Sequence, residues 1–586
     1  MRRDPKLSSC PVWIVFLWVC FIESTKVNCR LQAPFQSTAP KKDDSKLPIE
    51  TSYKLPAPVP KWPPGTSFAT GIIDLGALQV YQITSFNKVW TTYEDGPDDL
   101  GATFFEPTSI PEGFFMLGYY GQANNKPLYG WVLVAKDVSL PVEPPSLKLP
   151  TDYTLLWSSK SLDIKQDGVG YIWLPVPPDG YTAVGHVVTT SPQKPPLDKV
   201  RVVRTELTEG VEIDTWIWED ATSGFQFYSP RPIDRGTQAL GVSVGTFIAE
   251  KDGTTVSVSC LSNLNFSYPS MPNIDQVEAL IQTYAPMVYF HPDEQYLPSS
   301  VNWFFQNGAL LYTKGQESNP VEIAQDGSNL PQNGSNDGTY WIDLSTNEYV
   351  RGYLKRGNLQ SAEAYMHIKP ALGGTFTDIV VWLFYPYNGP GQIKFVFMTI
   401  SFGEIGEHVA DWEHVTLRVS NFDGELKSVY FSQHNKGIWV SPPDLEFEKN
   451  NKPIVYASKD GHASYPKAGE NIHSAALQEK IIVGAQNDTL KGEVKLDTAK
   501  QFWLLSADYS GGLHIIPKPW LNYAREWGPK RLFDTGRWLN ATEQSIPVKY
   551  RGIFESFVRS LPPEMLGEEG PTGPKWKDNW SGDERA

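Results

Sequence analysis

The chain has 586 residues, too many for one ordinary core, so two or three domains are expected. Hydrophobic residues make up 40% and charged residues 20%, a globular composition, and 48 prolines with 47 glycines favour short strands and turns over long helices. A formal charge of −15, with no basic stripe to displace counterions, excludes a nucleic-acid partner.

At the N-terminus Arg2, Arg3 and Lys6 precede an apolar run from Val12 to Ile22, followed by Glu23-Ser24-Thr25-Lys26. That run is too short for a comfortable membrane crossing and suits a signal peptide, so residues 1–28 are read as a cleaved leader, with an uncleaved anchor as the alternative. After the leader no segment is apolar enough to span a membrane. The reading predicts a protein that is secreted or held in the endomembrane or vacuolar lumen. Sequons at Asn265, Asn333, Asn487, Asn540 and Asn579 are candidate glycosylation sites in that setting. Cys10 and Cys20 lie in the leader, which leaves Cys29 and Cys260 as the pair available for one disulfide.

Residues 29–60 are rich in Pro, Lys and Ser without periodicity and are expected to be a flexible tether. From Trp62 a pattern recurs three times. It runs from Trp90 through Phe105-Glu-Pro to Pro111-Glu-Gly-Phe-Phe-Met-Leu-Gly118. It returns from Trp157 through Tyr171-Ile-Trp-Leu-Pro175 to Pro178-Asp-Gly-Tyr-Thr-Ala-Val-Gly185. The third copy, from Trp216 and Trp218 through Phe225-Gln-Phe-Tyr-Ser-Pro230 to Gly241, is looser. Each copy ends in a β-rich run, so residues 61–268 are expected to form three similar sheets around a pseudo-threefold axis, a β-prism-like domain. Asn273 caps an expected helix with Ile274, Val277 and Ile281 on one face. Residues 269–562 then read as a β-sandwich-like domain with long loops and a few short helices, and residues 563–586 as an extended tail. The fold class is mainly β.

Eight of the nine histidines fall after residue 290. The densest constellation joins the apolar strand Asp378-Ile-Val-Val-Trp-Leu-Phe-Tyr-Pro-Tyr-Asn388 to Gly406-Glu-His408-Val-Ala-Asp411-Trp-Glu413-His414. Asp411 and Glu413 are two apart on a strand and share a face, and His408 reaches the same point from the preceding loop. With the amide oxygen of Asn388 they make a mostly hard ligand set, suited to Ca²⁺ or Mg²⁺, with Mn²⁺ also accommodated, rather than to structural zinc. The alternative is that Trp412 is core and its flanking acids are merely solvated. Two further strand ends carry His434 and the trio Asp460-Gly-His462, candidates for a general base or for support of a metal ligand. His291-Pro-Asp293-Glu294 is similar and is read as structural. The Gly-x-Ser-x-Gly elbow, the phosphate-binding glycine loop and His-Glu-x-x-His are all missing from the sequence.

Lys61-Trp-Pro-Pro-Gly-Thr-Ser-Phe-Ala-Thr-Gly71, Ile110-Pro-Glu-Gly-Phe, Trp520-Leu-Asn-Tyr-Ala-Arg-Glu-Trp-Gly528 and Gly567-Glu-Glu-Gly-Pro-Thr-Gly-Pro resemble the plant vacuolar protein sorting-associated protein 62-like family, from Leu55 to the C-terminus. The N-terminal repeat is similar to the β-prisms of jacalin-like lectins. The second domain resembles the necrosis- and ethylene-inducing-protein-like toxins, whose hallmark is Gly-His-Arg-His-Asp-Trp-Glu. On that likeness His408, Asp411 and Glu413 match three cation ligands, and Asn388 stands where the toxins have an upstream Asp. The chain departs from them there and at Val409-Ala410, in place of Arg-His, which implies weaker cation binding and puts toxic activity in doubt. The resemblance implies recognition of a glycan or glycolipid headgroup at a membrane surface. A secreted, lectin-like binding protein is therefore the expected function. The alternatives are a metal-assisted hydrolase based on His434 or His462, and a membrane-trafficking adaptor, as the family name suggests.

Overall fold

The computed structural model describes residues 46–585 except 252–256, 396–397, 435, 479–480, 510–514, 534, 545, 560–566 and 569. The leader and Cys29 lie outside the described residues. Residues 47–533 and 567–586 form one compact unit; the helices Thr535–Glu543 and Val548–Arg559 belong to a second unit, within the range read as the β-sandwich domain.

The N-terminal repeat is present in the strand order itself. In the first copy Leu78–Ile83, Val132–Asp137 and Phe115–Met116 pair in that order, and Phe86–Thr91, Ala102–Pro107 and Tyr120–Ala123 make a second sheet. The second copy repeats both connections, the long sheet being Asp152–Ser158, Tyr171–Val176 and Val187–Thr189. The third does so with Val211–Asp220, Phe225–Pro232 and Ile248–Lys251. Each copy thus contributes two small antiparallel sheets, where one was expected. The recurring tryptophans explain the repeat physically. Trp90, Trp157 and Trp218, one from each copy, meet with ring centroids 5.4, 5.6 and 6.0 Å apart and fill a shared core.

The glycine that ends the third copy is not the counterpart of Gly118 and Gly185. A Cβ on Gly118 would lie 2.8 Å from the Gly185 Cα and 2.8 Å from Cγ2 of Thr246, so Thr246, and not Gly241, is the third equivalent of the two glycines. Gly241 instead opens the short strand Gly241–Val242. Two glycines are needed because the three chains approach too closely there for three side chains. The tether is also shorter than expected. Pro48–Glu50 forms a 3-10 turn, Ile49 and Leu55 are buried, and the Ala57 backbone exchanges two hydrogen bonds with the Asn451 amide.

The C-terminal region is built on one six-stranded sheet: β1 (Ala364–Ala371), β2 (Phe376–Asn388), β3 (His408–Ser420), β4 (Leu426–Gln433), β5 (Lys436–Val440) and β6 (Phe502–Ala507), ordered β5-β4-β3-β2-β1-β6. All pairs are antiparallel except β1 with β6. Both faces are covered, which is why β2 reads as a continuous apolar run. On one face Val381, Leu383 and Val415 pack with helix α1 (Ile274–Tyr284) and the strand Lys452–Ala457. On the other Trp382, Phe384 and Trp412 pack with helix α2 (Val301–Gln306), Trp520 and Trp527. Asn273 caps α1 in a capping box with Gln276, as expected, although Ile274 stays exposed.

The tail is docked rather than free. Asp583 pairs with Arg418 of β3 and with Arg235 of the N-terminal repeat, and Glu584 is buried against His414 and Thr416. Trp580 stacks on His367 at 3.8 Å. The segment 574–585 is a strap tying both regions together.

Candidate functional site

The site lies on the ladder between β2 and β3. Asn388 faces His408 across that ladder, Tyr385 faces Asp411 and Leu383 faces Glu413. Regular alternation would put Val409 on the same face as Asp411. Instead Val409 packs with Trp412, and Tyr387 leaves the face of Tyr385 to join them. The break falls at Pro386 on β2 and at Ala410 on β3, whose φ of +58° is left-handed. One such flip turns the odd spacing 408–411–413 into three side chains on one face. His408 is therefore a strand residue, not a loop residue reaching in.

Around that strip the charges form a network. His462, fully buried, donates from Nδ1 to Asp411 Oδ2 at 3.0 Å and from Nε2 to the Tyr296 carbonyl at 2.9 Å, and its ring stacks on Tyr385 at 3.8 Å. Both nitrogens face acceptors, so the ring is an imidazolium. Burial pulls its pKa down, but the Asp411 hydrogen bond and the charges of Glu294 and Asp411 carry it above the ordinary value. Burial pushes Asp411 up, and the bond from His462 with the charges of His408 and His462 overcomes this and holds it low. Glu413 goes the other way: burial and the Asp411 charge raise it to about 8, while it accepts a 2.6 Å hydrogen bond from Ser432. Glu413 therefore holds its proton more tightly than an ordinary carboxyl. His408 is driven below its ordinary value by burial, so it is neutral. Its Nδ1 donates to the Ala410 carbonyl at 2.6 Å, which leaves a lone pair on Nε2.

Glu294, read from the sequence as structural, belongs to this network. It is buried, accepts from the backbone N–H groups of Gln295, Tyr296 and Asp460, and stands 3.9 Å from His462. Asp460, His462 and His434 all have φ between +55° and +65°, so left-handed non-glycine backbone clusters here with Ala410. Each such residue costs of order 1–3 kcal/mol and is kept where the surroundings over-determine it. His434 accepts from Asn487 Nδ2 at 3.2 Å. Asp460, raised by burial and by the Glu294 charge, is hydrogen-bonded by Gln392.

Two of the four residues expected to ligate a cation keep a donor atom free. Asn388 spends its amide N–H groups on the Gly389 and Gly406 carbonyls, which leaves its oxygen for a ligand, and His408 is held in a metal-ready tautomer by a backbone carbonyl. Asn388, His408, Asp411 and Glu413 are the residues that would hold it. Asp411 is turned to His462, and among the described residues no group of three or more His, Cys, Asp or Glu side chains has the spacing of a metal centre.

Two sequons fare badly. Asn487 and Asn579 are buried with their amides engaged, so neither is placed to carry a glycan. Asn333 and Asn540 are exposed and Asn265 is half-buried. Cys260 is buried, its thiol pushed up to about 12 by burial, and it donates to the Glu209 carbonyl; its proposed partner Cys29 is outside the described residues.

Among solved structures the chain is similar to GNIP1Aa from Chromobacterium piscinae, at 17% identity and a TM-score of 0.27, over 36% of this chain and 40% of that one. It is also similar to NLPPya in complex with glucosamine, at 10% identity and a TM-score of 0.17, over 36% and 69% of the two chains. A third is Necrosis and Ethylene inducing Protein 2 from the causal agent of cocoa's Witches Broom disease, at 15% identity and a TM-score of 0.15, over 31% and 74%. The chain spans less than half the length of the first of these, and overlaps this partial carry no functional weight. No curated protein matches. The family model described as Vacuolar protein sorting-associated protein 62 matches residues 49–584, almost everything from the first buried residue to the end of the strap, and the chain belongs to that family.

Proposed function

We propose that the protein is a secreted or lumenal binding protein that recognises a glycan or glycolipid headgroup through a divalent cation, Ca²⁺ or Mg²⁺, held by Asn388, His408, Asp411 and Glu413. The observation that supports it is the flip at Ala410, which gathers two carboxylates, an imidazole and an amide on one face of the β2–β3 ladder. Ca²⁺ takes about six to eight oxygen ligands. Four protein side chains leave coordination positions that vicinal sugar hydroxyls fill. The threefold repeat is the lectin-like partner domain in this reading. No helix among the described residues is long and apolar enough to cross a membrane, in keeping with recognition from outside the bilayer.

A hydrolase at the same site needs a free base, but both nitrogens of His462 are committed to acceptors and His434 Nε2 is engaged by the Asn487 amide. Binding is therefore the better-supported reading. Elemental analysis, cation calorimetry and a glycan array with and without chelator test it. Asp411→Ala should abolish cation binding and Asn388→Asp, which restores a charge, should strengthen it. Equal cation affinity in the wild type and both variants would remove the basis of the proposal.

A further inference from the structure

A second opening lies beside the edge strand β6, away from Asp411. It is a groove of about 570 Å³, within the size range of small-ligand sites. Its lining is unusual in chemistry. Five side-chain amides, Asn302, Gln306, Gln325, Gln360 and Gln501, come from four separate segments, and among the described residues none of these amides hydrogen-bonds another protein group. Asn302 and Gln306 sit one turn apart on α2, where i, i+4 positions share a face, and the 3-10 turn Leu359–Ser361 presents Gln360. Between them stands Trp503, 44% exposed despite its size, with the Lys518 ammonium 3.2 Å over its ring. Trp303 and Phe502 complete the apolar part. Three charges stand at the groove, Glu363, Lys500 and the Lys518 on the indole, and Glu363 already accepts a hydrogen bond from Tyr365.

We propose that this groove binds a neutral oligosaccharide without a metal ion. A carboxamide donates and accepts at once, as a sugar hydroxyl does, so a row of unpartnered amides satisfies a polyhydroxylated ligand in either sense. An exposed indole offers a flat apolar face to the C–H side of a pyranose ring, and because Lys518 covers one face of Trp503 the sugar would stack on the other. With one carboxylate among two lysines, one of them held over the indole, the groove has neither the acidic cluster a cation needs nor a cluster of free basic groups for a phosphate. The inference is independent of the Asp411 site.

The test uses the mature full-length chain in excess EDTA, titrated by calorimetry with linear hexasaccharides of β-1,4-glucan, β-1,3-glucan, xylan and mannan. At least one should bind, and Trp503→Ala should weaken it by about tenfold. The Gln306→Ala/Gln360→Ala double variant, with both changes on exposed side chains, should weaken it too, while Asp411→Ala leaves it unchanged. Trp503→Phe should recover part of the loss, which separates stacking from misfolding. The proposal is overturned if none of the four binds, if Trp503→Ala binds as the wild type does, if Asp411→Ala removes the binding, or if the groove selects an extended peptide instead. Loss of chelator-sensitive binding alone would count against the cation site and leave this groove untouched.

Discussion

Glu584 gives the sharpest quantitative expectation. It is 6% exposed, yet its carboxyl is held at about 2 against an ordinary 4.5. Burial alone would raise it; the charge and hydrogen bond of His414, the Lys369 ammonium and the Thr416 hydroxyl outweigh that. The gap between the two values corresponds to about 3 kcal/mol in favour of the docked strap. Because the docked pKa is depressed, this stability is fully present above about 4.5 and is lost as pH falls toward 2. Glu584→Gln removes the charge and keeps the shape. At neutral pH it should raise the opening equilibrium of residues 574–585 on the order of a hundredfold, read as lost amide-exchange protection by mass spectrometry. At about pH 3 the difference should shrink to roughly tenfold. Protection equal in the two proteins at neutral pH, or a difference that widens on acidification, would refute the electrostatic account of the strap.

Glu413 should behave in the opposite sense. Its folded pKa of about 8 lies above the ordinary 4.5, so in chelator it favours the folded state at low pH and that preference fades as pH rises through this window. Glu413→Gln should therefore raise the thermal midpoint of the cation-free protein, by an amount that grows up to about pH 8. Gly118→Ala forces a Cβ to within 2.8 Å of Gly185 and Thr246 and should cost about 1–3 kcal/mol, seen as an earlier urea transition. Glycopeptide mapping of secreted material should find Asn333 modified and Asn487 and Asn579 bare, since their amides are buried. A glycan on Asn579 would be incompatible with the docked strap.

What the sequence disclosed follows from how local each signal is. The three tryptophans are legible because each repeat must supply its own share of one core, and Asn273 because a capping box is written within four residues. A glycine pattern alone points to Gly241 as the third counterpart of Gly118 and Gly185, whereas the geometry tolerates Thr246 beside two glycines. Strap docking was invisible. The Gly/Pro-rich tail has no periodicity, and its partners Arg235, Lys369 and Arg418 are far away in sequence. Glu294 was passed over for the same reason. Its role depends on backbone N–H groups of two loops and on His462, which no spacing within the His291–Glu294 segment encodes.

The shared face of Asp411 and Glu413 is legible in the sequence and the way His408 joins it is not, and one residue explains the difference. Two-residue alternation correctly puts Asp411 and Glu413 on a face together and, applied strictly, turns His408 away. A loop position was therefore needed to bring it back. The structure keeps His408 in the strand and pushes the irregularity into Ala410, opposite the stretch where Pro386 interrupts β2. A proline inside an otherwise central strand marks a break in the ladder, so Pro386 was the available signal. Ala410, fully buried in the cluster around Trp412 and Trp527, is the left-handed residue within that packed layer. Val409 and Ala410 thus face the aromatic cluster, and the imidazole paired with Asp411 comes from His462, in the loop after the strand Lys452–Ala457.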